Sequence, residues 1–118
     1  MRATDAVGRY GEKQAGRYLE THGLIVLDRR WRCPQGEVDL IAVDGDCLVI
    51  CEVKTRRSVL AGLPHEAVTA AKLARLRRLA AIWLAGQDRS WPEVRIDVVS
   101  VLIPPAGPSR IDHLTGVG

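Results

Sequence analysis

Apolar positions along this chain alternate between helical and strand spacing. From about Ala6 to His22 they recur every three to four residues. At about 100° per residue, Gly8, Gly11, Ala15 and Leu19 fall on one stripe, with Val7 and Tyr18 on one flank. Gly23 is a natural stop. The small residues in the stripe permit close approach to a sheet, at some cost in intrinsic helix stability. From about Leu24 to Arg32, and again through GEVDLIAV and CLVICEVK, the pattern turns strand-like and rich in Val, Ile and Leu. Pro34-Gln35-Gly36 and Asp44-Gly45-Asp46 supply the turns, so three consecutive antiparallel strands are predicted.

Helical spacing returns from near Thr69 to Ala85, where Leu73, Leu76, Leu79, Ala80, Trp83 and Leu84 repeat and Gly86 lies just past the end. Trp83 reads as core. Arg56 to Glu66, with Gly62 and Pro64, reads as a loop. Arg95 to Ile103 is a fourth strand, and its helical crossover lets it lie parallel to a strand of the meander. Asp97 shares a face with Arg95 there, which suits a structural ion pair. The order αβββαβ predicts the α/β class, a mixed β-sheet flanked by helices. One domain covers residues 1–103, and 104–118 form a Pro/Gly-rich tail in which Ile111 to Leu114 can add a short edge strand.

The hairpin carries charges that a plain sheet would not want. Residues two apart on a strand point to one face, so Glu37, Asp39 and Ile41 group together, as do Leu48, Ile50, Glu52 and Lys54. A two-residue Asp44-Gly45 loop sets Asp39 opposite Ile50; a Gly45-Asp46 loop sets it opposite Glu52. Either register predicts Asp39 and Glu52 on one face, about 5 to 8 Å apart, unless a bulge breaks the parity. Two carboxylates that close repel unless a cation or proton intervenes, and oxygen ligands of this kind suit Mg²⁺ or Mn²⁺. The plainer alternative is a Glu52–Lys54 ion pair where the strand meets solvent, with Asp39 discouraging edge-to-edge aggregation. Glu12 lies on a flank of the first helix's buried stripe, as an ordinary boundary glutamate would.

Composition narrows the picture further. The chain has 118 residues, 47 % of them apolar, and a net charge of +3, as expected of a folded globular domain that is mildly basic. No apolar run approaches about 18 residues and no secretory leader is evident, so neither a membrane span nor export is expected. Three cysteines (Cys33, Cys47 and Cys51) in no disulfide-framework spacing suit a reducing, cytoplasmic setting. Cys47 and Cys51 would stand about 13 Å apart on a strand, too far to share a zinc ion, and read as buried small residues. The basic residues cluster: Arg29, Arg30 and Arg32 bracket Trp31, Arg56 and Arg57 follow the hairpin, and Lys72, Arg75, Arg77 and Arg78 form a third group. Such clusters suit a phosphate polyanion, or else a solvated Arg-rich surface.

Asp39 followed by Glu52-Val53-Lys54 on the next strand resembles the D…ExK core of the PD-(D/E)xK nuclease superfamily. Glu12 ahead of it resembles the extra acidic residue of the Holliday-junction-resolvase branch. More closely, GEKQAGRYLETHG, GEVDLIAVDGDCLVICEVKTRR, LARLRRLAAIWL and RIDVVSV are similar to the YraN-type family of uncharacterised, endonuclease-like bacterial proteins, over residues from about 8 to 101. Val38 stands where the superfamily motif has proline, a variable position that is not a metal ligand. The resemblance implies a restriction-endonuclease-like fold and a Mg²⁺- or Mn²⁺-dependent endonuclease acting on DNA, branched structures included. The runner-up is a nucleic-acid-binding module that kept the fold with little catalysis. It further implies Asp39, Glu52, the Val53 carbonyl and Glu12 as metal ligands, and Lys54 as the group that orients the attacking water. Glu37 would stand behind these ligands. Arg56 and Arg57 would contact flanking phosphates, and Arg30, Trp31 and Arg32 would meet nucleic acid, Trp31 by stacking on a base or else by covering the sheet edge. One site on a short chain makes a homodimer plausible for cutting both strands.

Overall fold

Each change of apolar period becomes an element boundary. The computed structural model describes residues 3–57 and 68–118, with side chains from residue 6 onward. Helix α1 (Ala3–Thr21) is followed by strands β1 (Ile25–Cys33), β2 (Gly36–Asp44) and β3 (Cys47–Arg56), helix α2 (Ala70–Ala85), and strands β4 (Glu93–Leu102) and β5 (Arg110–Leu114). The seventh element, β5, extends the predicted order αβββαβ. Most of the predicted loop between Arg56 and Glu66 lies outside the described residues. Among the described residues no helix is long and apolar enough to cross a membrane.

The strands form one mixed sheet in the order β1-β2-β3-β4-β5. The meander pairs are antiparallel, β3 and β4 run parallel, and β5 returns antiparallel along the outer edge of β4. A parallel pair needs a long crossover, which α2 provides. Thr69 caps α2 by accepting a hydrogen bond from the Lys72 amide at 3.1 Å.

The sheet is buried on both faces, which explains why its central strands read as nearly continuous apolar runs. On one face Ala15 and Leu19 of α1 meet Leu40, Ala42, Val49, Cys51 and Val99. On the other, Leu76, Leu79 and Trp83 of α2 meet Ile41, Val43, Leu48, Ile50 and Ile96. Trp83 is core, as its spacing predicts, and its indole N–H reaches Asp28 at 3.4 Å. Asp97 is structural: fully buried, it accepts from Arg95 Nε at 3.0 Å and from the Gly116 amide at 2.9 Å, and it lies 2.7 Å from His113 Nε2. Burial alone would raise its pKa; the His113, Arg95 and Gly116 donors outweigh that and hold the carboxyl below its ordinary range. These bonds fasten β5 and the segment after it to β4.

The small-residue stripe of α1 sets how closely that helix approaches β3. Gly11 is buried against Thr55, where an added Cβ would collide with the threonine side chain, whereas a Cβ at Gly8 would meet nothing within 4 Å. The two glycines should therefore respond oppositely to alanine. Gly8→Ala is expected to raise stability by about 0.5–1 kcal/mol through helix propensity. Gly11→Ala should lower it by about 1–3 kcal/mol, because overpacking exceeds that gain. Chemical denaturation of the two variants beside the parent checks the contrast.

Candidate functional site

The hairpin closes through Gly45-Asp46. Asp44 faces Cys47, and the β2–β3 ladder runs inward to Leu40 opposite Cys51. One step further the register would place Asp39 opposite Glu52, but the paired run stops there. The Asp39 carboxylate instead accepts the Val53 amide at 2.7 Å, so a side chain takes up a backbone donor of the neighbouring strand.

Strict alternation is interrupted in β2 between Val38 and Leu40. Val38 and Ile41, three residues apart, both join the cluster under α2, while Leu40 joins the one under α1. Opposite this stretch, between the pairs Arg29–Leu40 and Trp31–Val38, sits Arg30 with φ of 51°, a left-handed conformation that breaks the regular twist of β1. The two carboxylates nevertheless stay within electrostatic reach of each other. Glu52 pairs with Lys72 of α2 at 2.9 Å, and Asp39 feels the charge of Glu12 on α1 ahead of that of Glu52.

Burial dominates the electrostatics of Asp39. It pushes the carboxyl up to about 6 from an ordinary 3.8; the Val53 amide offsets part of this, and the charges of Glu12, Glu52 and Glu37 add to it. Glu12 is also raised, again chiefly by burial, with Arg30 pulling the other way. Arg30 Nε lies 3.3 Å from Glu12 Oε2 and 3.7 Å from Glu37, yet Glu12 Oε2 is buried without a hydrogen bond. Arg32 also pairs with Glu37, at 3.5 Å. Arg30 and Arg32, expected at a nucleic-acid surface, thus neutralise carboxylates. Trp31 packs against the α2-side core and covers the sheet edge.

Lys54 is exposed and, with Glu12, Val53 and Arg57, lines a groove of about 460 Å³ between α1 and the end of β3. Arg56 is buried and Arg57 exposed. Lys72 is the residue that sequence reasoning missed as a neighbour of Glu52. Its only signal was membership of a basic cluster, because the pairing depends on how the first turn of α2 lies over the sheet.

The donor set is chemically suited to a hard divalent cation. Asp39, Glu52, Glu12 and the Val53 carbonyl offer oxygens, and the unsatisfied Glu12 Oε2 and the burial-raised Asp39 both favour an arriving positive charge. Among the described residues no three acidic, His or Cys side chains form a ready-made cage.

Comparison with known proteins gives one consistent result. The model of "Uncharacterised protein family UPF0102" matches residues 11–101. A UPF0102 protein of Beutenbergia cavernae is 63 % identical over 118 residues, covering all of both chains. One of Kineococcus radiotolerans is 58 % identical over 99 % of this chain and 97 % of its own, and one of Arthrobacter sp. is 54 % identical over all of both.

The raised Asp39 carboxyl makes a signed prediction. Because its folded pKa lies above the unfolded value, its favourable contribution is complete below about 3.8 and is lost as pH rises through about 6. Asp39→Asn keeps an acceptor for the Val53 amide and removes the charge. In the absence of divalent ions it should be more stable than the parent by about 1–3 kcal/mol at neutral pH, with the gap closing below about pH 4. Urea denaturation across pH measures this.

Proposed function

The chain belongs to the uncharacterised protein family UPF0102, and from its site we propose that it is a divalent-metal-dependent endonuclease hydrolysing phosphodiester bonds in DNA. The observation that carries the reading is the Asp39 carboxylate, anchored by the Val53 amide at 2.7 Å and within the electrostatic reach of Glu12 and Glu52. Buried like charges of this kind cost stability, and a cation relieves that cost.

In this reading Asp39 and Glu52 hold Mg²⁺ or Mn²⁺, with the Val53 carbonyl and Glu12 completing the protein's share. Such an ion, when bound, supplies Lewis acidity at the phosphate and lowers the pKa of water. The remaining work falls to the chain's own groups. Lys54, exposed in the groove shared with Glu12, offers an ammonium that orients the attacking water and offsets charge growing on the phosphate oxygens. Arg57, on the same groove, neutralises a flanking phosphate. Arg30 keeps the Glu12 and Glu37 carboxylates from repelling the polyanion. With one such site per chain, cutting both strands of a duplex takes two copies. The three unpaired cysteines suit a reducing compartment.

A second reading, a nucleic-acid-binding module with little catalysis, is favoured by one specific observation. Glu52 is already neutralised by Lys72 at 2.9 Å. The two readings separate in a panel of labelled duplex, single-stranded, flapped and four-way-junction DNA, incubated with Mg²⁺ or Mn²⁺ and with EDTA. The endonuclease reading expects metal-dependent cleavage that falls by about 100-fold or more in Glu52→Gln and Lys54→Ala, with binding retained. Cleavage of no substrate, with binding intact, selects the second reading.

A further inference from the structure

A second groove lies on the other side of Glu12. It has a volume of about 490 Å³, runs between α1 and β1, and has Glu12 as the wall it shares with the Lys54 groove. Arg9, Lys13 and Arg17 edge it from the helix, four residues apart along one face of α1. All three are exposed, and they make no ion pair among the described residues. The acids of this groove are already engaged: Glu20 pairs with Arg29 at 3.2 Å and Glu12 with Arg30 at 3.3 Å. Arg9 also feels the charge of Glu12, but five basic side chains face two acidic ones, so the groove as a whole is positive.

We infer that this groove is a binding track for the sugar–phosphate backbone of a single nucleic-acid strand, leading past Glu12 toward Lys54. Four residues of helix rise about 6 Å, a step comparable to one nucleotide of extended backbone, so Arg9, Lys13 and Arg17 can meet successive phosphates. The opposite wall is close. The guanidinium of Arg29 reaches across from β1 to lie against Gly16 of the helix. A groove of about 490 Å³ is of a size for one strand. The charge is unaccompanied by an aromatic platform on these walls, which makes the contact one to phosphate and insensitive to sequence. The inference rests on the endonuclease reading only for what lies at the far end of the track.

The test uses Lys13→Ala/Arg17→Ala in the full chain, with Arg110→Ala on the exposed outer strand as control. Binding of a labelled single-stranded oligonucleotide and of a blunt duplex is followed by fluorescence anisotropy over a salt series, in EDTA so that nothing is cut. For the single strand, the slope of log K against log salt should shrink by about 1.4, two lost contacts at about 0.7 each, and low-salt affinity should fall on the order of tenfold. The control should match the parent, and duplex binding should change less. Unchanged slope and affinity would overturn the inference, and so would an equal loss on the duplex. If the double variant binds as the parent does while Glu52→Gln abolishes cleavage, the track fails and the nuclease reading stands. If the double variant loses binding while the parent cuts no substrate, the track stands and the nuclease reading fails.

Discussion

The hydrogen bond from the Val53 amide to the Asp39 carboxylate is the contact on which the candidate site depends. Where β2 and β3 cease to pair, a backbone donor needs a new acceptor, since an unsatisfied one in a partly buried place is costly. Asp39 supplies it, and in doing so is drawn into a region that raises its own pKa. The 2.7 Å contact satisfies the backbone donor and steadies the carboxylate charge, while burial around it works against that charge. Nearby, the close approach at Gly11 brings α1 onto β3 at Thr55 and carries Glu12, the next residue, to the same place.

Much of this was legible in the sequence because it follows from periodicity. The helical stripe of Gly8, Gly11, Ala15 and Leu19, the turns at Pro34 and Gly45, the crossover through α2 and the structural role of Asp97 all rest on local spacing. The irregularity of β2 beside Asp39 was not legible for a definite reason. Alternation is reliable only in an uninterrupted ladder, and the left-handed Arg30 of β1 lies across from this stretch of β2. Nothing about an arginine between Arg29 and Trp31 announces a positive φ, which is enforced by the fold and not by the residue's preference. The partnerships of Lys72 with Glu52, of Arg30 with Glu12, and of His113 with Asp97 were hidden likewise, since each joins elements far apart in the chain.

The charges are arranged in two shells of different character. Arg95, Asp97, His113 and Asp44 form a bonded set whose buried member is fully satisfied, so it stabilises one edge of the sheet and has little capacity left for a ligand. Around Asp39 the partners are fewer and the burial penalty is only partly relieved. The contrast separates a structural ion cluster from a candidate site more sharply than residue type does, because both contain carboxylates beside arginines.

On the proposed metal-dependent reading, the Lys72–Glu52 pair bears on which cations the site would prefer. An ammonium at 2.9 Å is an occupant, so an incoming ion does not fill an empty place but takes part in an exchange. A monovalent ion brings no more charge than the lysine it evicts, and it must also shed water. A divalent ion gains a second unit of attraction and draws on Asp39 and Glu12 as well. In that reading the protein's own side chain would act as a reference competitor, turning modest absolute affinity into discrimination by valence.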